Sequence, residues 1–131
     1  MKILVTGAEG FVGKNLAAAL DNLKSNKDRT RPQLKIDEIY LYDINSSEEI
    51  LEEACKNADF VFNLAGVNRP KDPKEFMEGN FGFANTLFEA LVKHENTCPV
   101  MISSSIQATC IGRYDSDYGR SKKACEDILF K

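Results

Sequence analysis

The chain has 131 residues, of which 43% are apolar, 9% aromatic and 28% charged. This is the composition of a folded domain, and it excludes disordered, collagen-like and low-complexity classes. Lys and Arg number 17 against 20 Asp and Glu, a formal net charge of −3, which disfavours a non-specific nucleic-acid binder.

Strand and helix patterns alternate along the chain. Lys2–Thr6 (KILVT) is a short apolar run closed by Gly7 and reads as a buried strand. From Phe11 onward, Val12, Leu16, Ala19, Leu20 and Leu23 recur at helical spacing. Residues 25–35 are polar, include Pro32 and read as a loop. Residues 36–44 (IDEIYLYDI) read as a second strand. Ser46 and Ser47 before Glu48 and Glu49 form an N-cap with an acidic first turn. Ile50, Leu51, Ala54 and Cys55 then share a helix face. Residues 58–65 (ADFVFNLA) read as a third strand closed by Gly66.

A long helix is expected from Asp72 and Pro73. Met77, Phe81, Ala84, Phe88 and Leu91 form its main stripe, flanked by Phe76, Asn80, Phe83, Leu87 and Val92. Residues 99–103 (PVMIS) read as a fourth strand and residues 116–131 as a last helix. Strands alternating with helices predict βαβ units, hence an α/β fold with a doubly wound parallel sheet.

No apolar run is long enough to cross a bilayer. The first residues lack the apolar core and cleavage site of a signal peptide. The expectation is a cytoplasmic protein without membrane insertion. Cys55, Cys98, Cys110 and Cys125 show no CxxC spacing, and His94 is the only histidine. They read as reduced packing thiols, and no metal site is expected. His94 sits near the end of the long helix, where a cation is favourable.

Gly7-Ala8-Glu9-Gly10-Phe11-Val12-Gly13 is a G-x-x-G-x-x-G loop between the first strand and the first helix. That context is the one in which such a loop cradles a pyrophosphate, since the helix N-terminus offers N–H groups and partial positive charge. The bland alternative is glycines that serve only the turn. Asp43, at the end of the second strand, can accept hydrogen bonds from ribose hydroxyls and repels a 2′-phosphate, which favours NAD over NADP. Its bland alternative is a capping or loop aspartate. Arg29 and Arg31 read as solvated loop residues.

Tyr118-Gly119-Arg120-Ser121-Lys122 is Y-x-x-x-K on a predicted helix, so phenol and ammonium share a face. A nearby ammonium stabilises phenolate and brings a tyrosine toward acid–base work. Alone, the pair reads as a surface helix contact. Its weight comes from the order in which the motifs occur. The glycine loop comes first, Asn-Leu-Ala-Gly follows strand three, Ser103-Ser104-Ser105 follows strand four, and Y-x-x-x-K closes the series.

That order resembles the extended short-chain dehydrogenase/reductase superfamily, the NAD-dependent epimerase/dehydratase group, over essentially the whole chain. The resemblance implies a Rossmann-type domain over residues 1–131. It implies Gly7, Gly10, Phe11, Val12 and Gly13 at the cofactor phosphates, and Asp43 at the adenosine ribose. Leu64, Ala65 and Gly66 would lie beside the cofactor, and Asn80 would position the catalytic groups. Ser105 and Tyr118 would be catalytic. Lys122 would hold the nicotinamide ribose and tune Tyr118.

Leu64–Pro70 (LAGVNRP), Lys74–Phe76 and Ser103–Thr109 (SSSIQAT) look more narrowly like the bacterial capsular-polysaccharide reductases. That resemblance implies an NADPH-dependent reductase acting on a UDP-4-keto-6-deoxy-N-acetylhexosamine. In that family the reductase domain precedes a cupin domain. Its members are considerably longer, so the chain reads as the N-terminal part of such an enzyme, inactive by itself, with substrate and cupin domains absent. NAD and NADP both stay open, as do reductase, epimerase and dehydratase chemistry. A non-catalytic dinucleotide-binding protein and an associating fragment with a bare sheet edge are further readings. Superfamily members pair through two equivalent helices, which implies a homodimer.

Overall fold

The computed structural model describes residues 1–65, 82–103 and 117–129, without the side chains at 117, 118, 125, 128 and 129. Four strands are present: β1 (Lys2–Thr6), β2 (Glu38–Tyr42), β3 (Phe60–Asn63) and β4 (Val100–Ile102). The helices are α1 (Phe11–Lys24), α2 (Glu48–Asn57), α3 (Phe83–Lys93) and α4 (Asp117–Leu129). The strand order is β2-β1-β3-β4, and β1 pairs in parallel with both β2 and β3. This is the expected Rossmann-type parallel sheet. The chain runs from β1 outward to β2 and returns on the other side of β1 to form β3. The topological switch point, where such sheets bind ligands, therefore lies between the carboxyl ends of β1 and β3.

Burial follows from the alternation of side chains along β1. Ile3 and Val5 form a cluster with Leu20 and Ile36, against which Leu16 and Leu23 of α1 and Phe60 and Phe62 of β3 pack. The opposite face carries Leu4, Thr6 and Val61, all fully buried, with Asn63 at 5% exposure. Helix α2 contacts β1 and β2 and buries Leu51, Ala54 and Cys55. A central strand buried on both faces needs the near-continuous apolar run seen in KILVT. Truncating Leu4 or Val61 would cost a few kcal/mol, on the order of 2–5 for a leucine.

The chain divides into two compact units, Met1–Leu64 with Ala90–Met101, and Ala65–Glu89 with Ile102–Lys131. In the first, Asn96 Nδ2 donates to the Cys55 and Ala58 carbonyls at 2.8 and 2.9 Å, closing the end of α2. His94 Nε2 lies 2.6 Å from Glu52 Oε2, and Lys93 Nζ donates to the same oxygen at 3.3 Å. His94 thus ties the end of α3 to α2, beyond the helix-end role expected for it.

Several elements are shorter than their sequence patterns. Strand β2 starts at Glu38 rather than Ile36, and β3 spans Phe60–Asn63 rather than residues 58–65. Ile36, Ala58 and Leu64 still pack, but outside the ladders, whereas Ile44 is exposed. The start of the long helix, with Met77 and Phe81, lies outside the described residues. In α3 the buried positions are Ala84, Leu87, Ala90 and Leu91, while Val92 is 75% exposed. The buried stripe is therefore rotated toward Leu87. Among the described residues no helix is long and apolar enough to cross a membrane.

Candidate functional site

The first unit builds a loop at the switch point. Gly7 leaves β1 with φ 67°, a conformation that strains any residue with a β-carbon. Gly10 N–H donates to the Gly7 carbonyl at 3.1 Å, and Lys14 N–H to the Gly10 carbonyl at 2.9 Å. Helix α1 starts at Phe11 with Gly10 as N-cap, no side-chain cap and no acidic residue in its first turn. The N–H groups of Phe11, Val12 and Gly13 belong to that first turn and have no helical carbonyl to accept them. Phe11 is 86% and Val12 60% exposed. The loop therefore presents donors and the positive end of a helix whose first turn holds no acidic residue, which fits a pyrophosphate.

Asp43 closes the loop from the side of β2. Glu9 N–H donates to Asp43 Oδ2 at 2.7 Å and Ile44 N–H to Asp43 Oδ1 at 2.7 Å. Ala8 N–H donates to the Tyr42 carbonyl at 3.2 Å. The structure thus brings Asp43 to the glycine loop, through a bond there that the sequence did not suggest. Each carboxylate oxygen accepts one bond and keeps a lone pair for a ligand hydroxyl.

Two further residues at this edge were given no role of their own by the sequence. Thr6 Oγ1 donates to Asn63 Oδ1 at 2.5 Å, both side chains buried, across the register partners that end β1 and β3. Leu64 N–H then donates to the Thr6 carbonyl at 3.3 Å, extending the β1–β3 edge by one residue. The available signal was a polar residue at the carboxyl end of each of two apolar runs. Ser46 was read as part of an N-cap, yet Ser47 is the N-cap of α2 and makes no side-chain cap bond. Ser46 instead accepts the Asp43 N–H at 3.0 Å through Oγ.

The second unit holds the remaining expected residues. Lys122 is 4% exposed on α4, and its Nζ donates to the Ser103 carbonyl at the end of β4 at 3.2 Å. The neighbouring Ser121 is fully buried. Tyr118 lies on α4, four residues before Lys122 on one continuous helix, with its side chain outside the description. Ala65 is described in this unit, and Gly66, Asn80 and Ser105 lie outside the described residues.

The cysteines that are described carry packing rather than chemistry. Burial pushes the Cys55 thiol up to about 12 and raises that of Cys98, away from the thiolate a nucleophile needs.

Comparison with known proteins adds three relatives. The model of the NAD dependent epimerase/dehydratase family matches residues 3–129. A UDP-2-acetamido-2,6-beta-L-arabino-hexul-4-ose reductase of Pseudomonas aeruginosa is 40% identical over 129 residues, 98% of this chain and 31% of the relative. Capsular polysaccharide assembling protein CapF from Staphylococcus aureus is 38% identical with a TM-score of 0.70, covering 99% of this chain and 31% of CapF. MoeE5, solved in complex with UDP-glucose and NAD, is 29% identical with a TM-score of 0.70, covering 98% of this chain and 48% of MoeE5. The chain therefore spans 31% of the length of the first two of these relatives.

Proposed function

The chain belongs to the NAD dependent epimerase/dehydratase family, and from that premise we propose that it is the dinucleotide-binding part of a nucleotide-sugar reductase. The observation that carries this reading is the glycine loop at the switch point, bonded to Asp43 through the Glu9 N–H. Residues 1–131 form one NAD(P)-binding domain. Gly7, Gly10, Phe11, Val12 and Gly13 hold the phosphates and Asp43 the adenosine ribose, Leu64, Ala65 and Gly66 lie beside the cofactor, and Asn80 positions the catalytic groups. Reductase chemistry is favoured over epimerase or dehydratase chemistry by the 40% identity to a UDP-sugar reductase. The substrate is a UDP-4-keto-6-deoxy-N-acetylhexosamine for capsule or surface polysaccharide, used in the cytoplasm by a homodimer.

A bound nicotinamide dinucleotide supplies the hydride that reduces the sugar's C4 ketone. The protein supplies the proton and the electrostatics. Tyr118 gives its phenolic proton to the developing alkoxide, and Ser105 donates a hydrogen bond to the same oxygen. The Lys122 ammonium favours the phenolate that remains. The Lys122 bond to the Ser103 carbonyl supports this role, because it anchors the ammonium at the residue that follows β4. Asp43 supports NAD(H) over the NADP(H) implied by the capsular-reductase resemblance, since a carboxylate repels a 2′-phosphate.

The test is Tyr118→Phe in the intact protein, with turnover and dinucleotide affinity measured together. Turnover should disappear while affinity stays. Turnover at the wild-type rate would remove Tyr118 from the reaction.

A further inference from the structure

Asp43 is held more tightly than a residue that only waits for a ribose needs to be. Its N–H donates to Ser46 Oγ at 3.0 Å, and its carbonyl accepts the Ser46 N–H at 2.8 Å. This reciprocal clasp closes the turn 43–46 directly after β2. The carboxylate is then fixed on both oxygens, by the Ile44 N–H of that turn and by the Glu9 N–H of the glycine loop, each at 2.7 Å. Three segments therefore meet at one side chain: the end of β2, the turn into α2 and the phosphate loop. A carboxylate with both oxygens bonded has lost most of its freedom to rotate, and its remaining lone pairs point in fixed directions.

We propose that Ser46 is a positioning residue for dinucleotide selectivity: its clasp orients the Asp43 carboxylate, which braces the glycine loop and discriminates against a phosphorylated ribose. This deepens the dinucleotide reading above and rests on it. Selectivity against a 2′-phosphate depends on where the negative charge stands, because a carboxylate that can swing away both accepts the ribose hydroxyls less well and repels the phosphate less. Ser46 touches no substrate. It acts through the Asp43 backbone, by satisfying a partly buried N–H that otherwise lacks an acceptor.

The experiment compares NADH and NADPH affinities of the intact protein with those of Ser46→Ala and Ser46→Thr. Thr keeps the hydroxyl acceptor and Ala removes it. In Ser46→Ala, NADH affinity should fall by roughly threefold to tenfold, the worth of one hydrogen bond. NADPH affinity should fall less or rise, so that the NADH-to-NADPH preference shrinks. Ser46→Thr should keep the wild-type preference. Equal loss for both cofactors in Ser46→Ala would mean a merely structural role and would overturn the proposal, as would an unchanged preference. Amide exchange in the cofactor-free protein gives a second readout: the Glu9 N–H should exchange faster in Ser46→Ala than in wild type, and equal rates would also overturn it. A wild-type protein that binds neither dinucleotide would overturn the cofactor reading itself. That result is distinct from one in which wild type binds and the Ser46→Ala preference is unaltered.

Discussion

Gly13 of α1 abuts Gly7 so closely that a β-carbon on Gly13 would stand 2.0 Å from the Gly7 carbonyl oxygen and 2.9 Å from Ala8 Cα. At Gly10 the same atom would stand 3.3 Å from that oxygen. The two glycines therefore separate by what they protect. At Gly13 the obstacle is backbone that cannot step aside, so Gly13→Ala should cost stability at or above the upper end of the roughly 1–3 kcal/mol of an overpacked site. Gly10→Ala should cost much less stability and act chiefly on dinucleotide affinity, since the proposed site sets the phosphates against the loop backbone. Urea denaturation of both variants, paired with cofactor titration of Gly10→Ala, separates the two effects. Equal loss of stability in both would contradict this division.

The Thr6–Asn63 bond makes a second, independent prediction. Both side chains are buried and bonded to each other at 2.5 Å. Thr6→Val keeps the shape and removes the hydroxyl, leaving buried Asn63 without that donor, at a cost of about 1–3 kcal/mol. Thr6→Ser keeps the hydroxyl and should recover the polar part of that loss. Urea midpoints of the two variants check it, and a Thr6→Val protein as stable as wild type would show that the bond adds nothing net.

The α2–α3 tie predicts a pH dependence. Hydrogen bonds from His94, and then from Lys93, hold the Glu52 carboxyl below its ordinary value of 4.5. A carboxyl lowered by folding stabilises the fold above its unfolded value, and that contribution is lost as pH falls through the folded one. Wild type should therefore exceed Glu52→Gln in stability at neutral pH, and the difference should close as pH drops below 4.5. Glu52 and Lys93 are 42% and 67% exposed, so added salt should shrink the difference. Urea midpoints against pH for the two proteins give the answer; parallel curves would contradict it.

Much of the fold was legible because its signals are local. KILVT followed by Gly7 announces a buried strand and a turn, and the helical spacing from Phe11 to Leu23 announces α1. The parallel sheet follows from the alternation of strands and helices, whereas the order β2-β1-β3-β4 came only from the structure. The Asp43 position was legible for the same reason, as an acid ending the second apolar run. What sequence could not show is which partner a polar group takes. Ser46 and Ser47 look alike as caps, and only the turn 43–46 decides that Ser46 serves Asp43. The Glu9–Asp43 and Thr6–Asn63 bonds join residues 34 and 57 positions apart. No local pattern encodes such pairs, because they exist only once three strands lie side by side. The stripe on α3 shifted for a related reason: Phe88 and Val92 are as apolar as Leu87, and only packing decides which of them is covered.

The measurement that bears most directly on the central claim is a calorimetric titration of the intact wild-type protein with NADH. Saturable binding of one dinucleotide per chain, weakened in Gly10→Ala, is the expected result. Heats no larger than dilution, in a protein whose folding is shown by a cooperative urea transition, would contradict it.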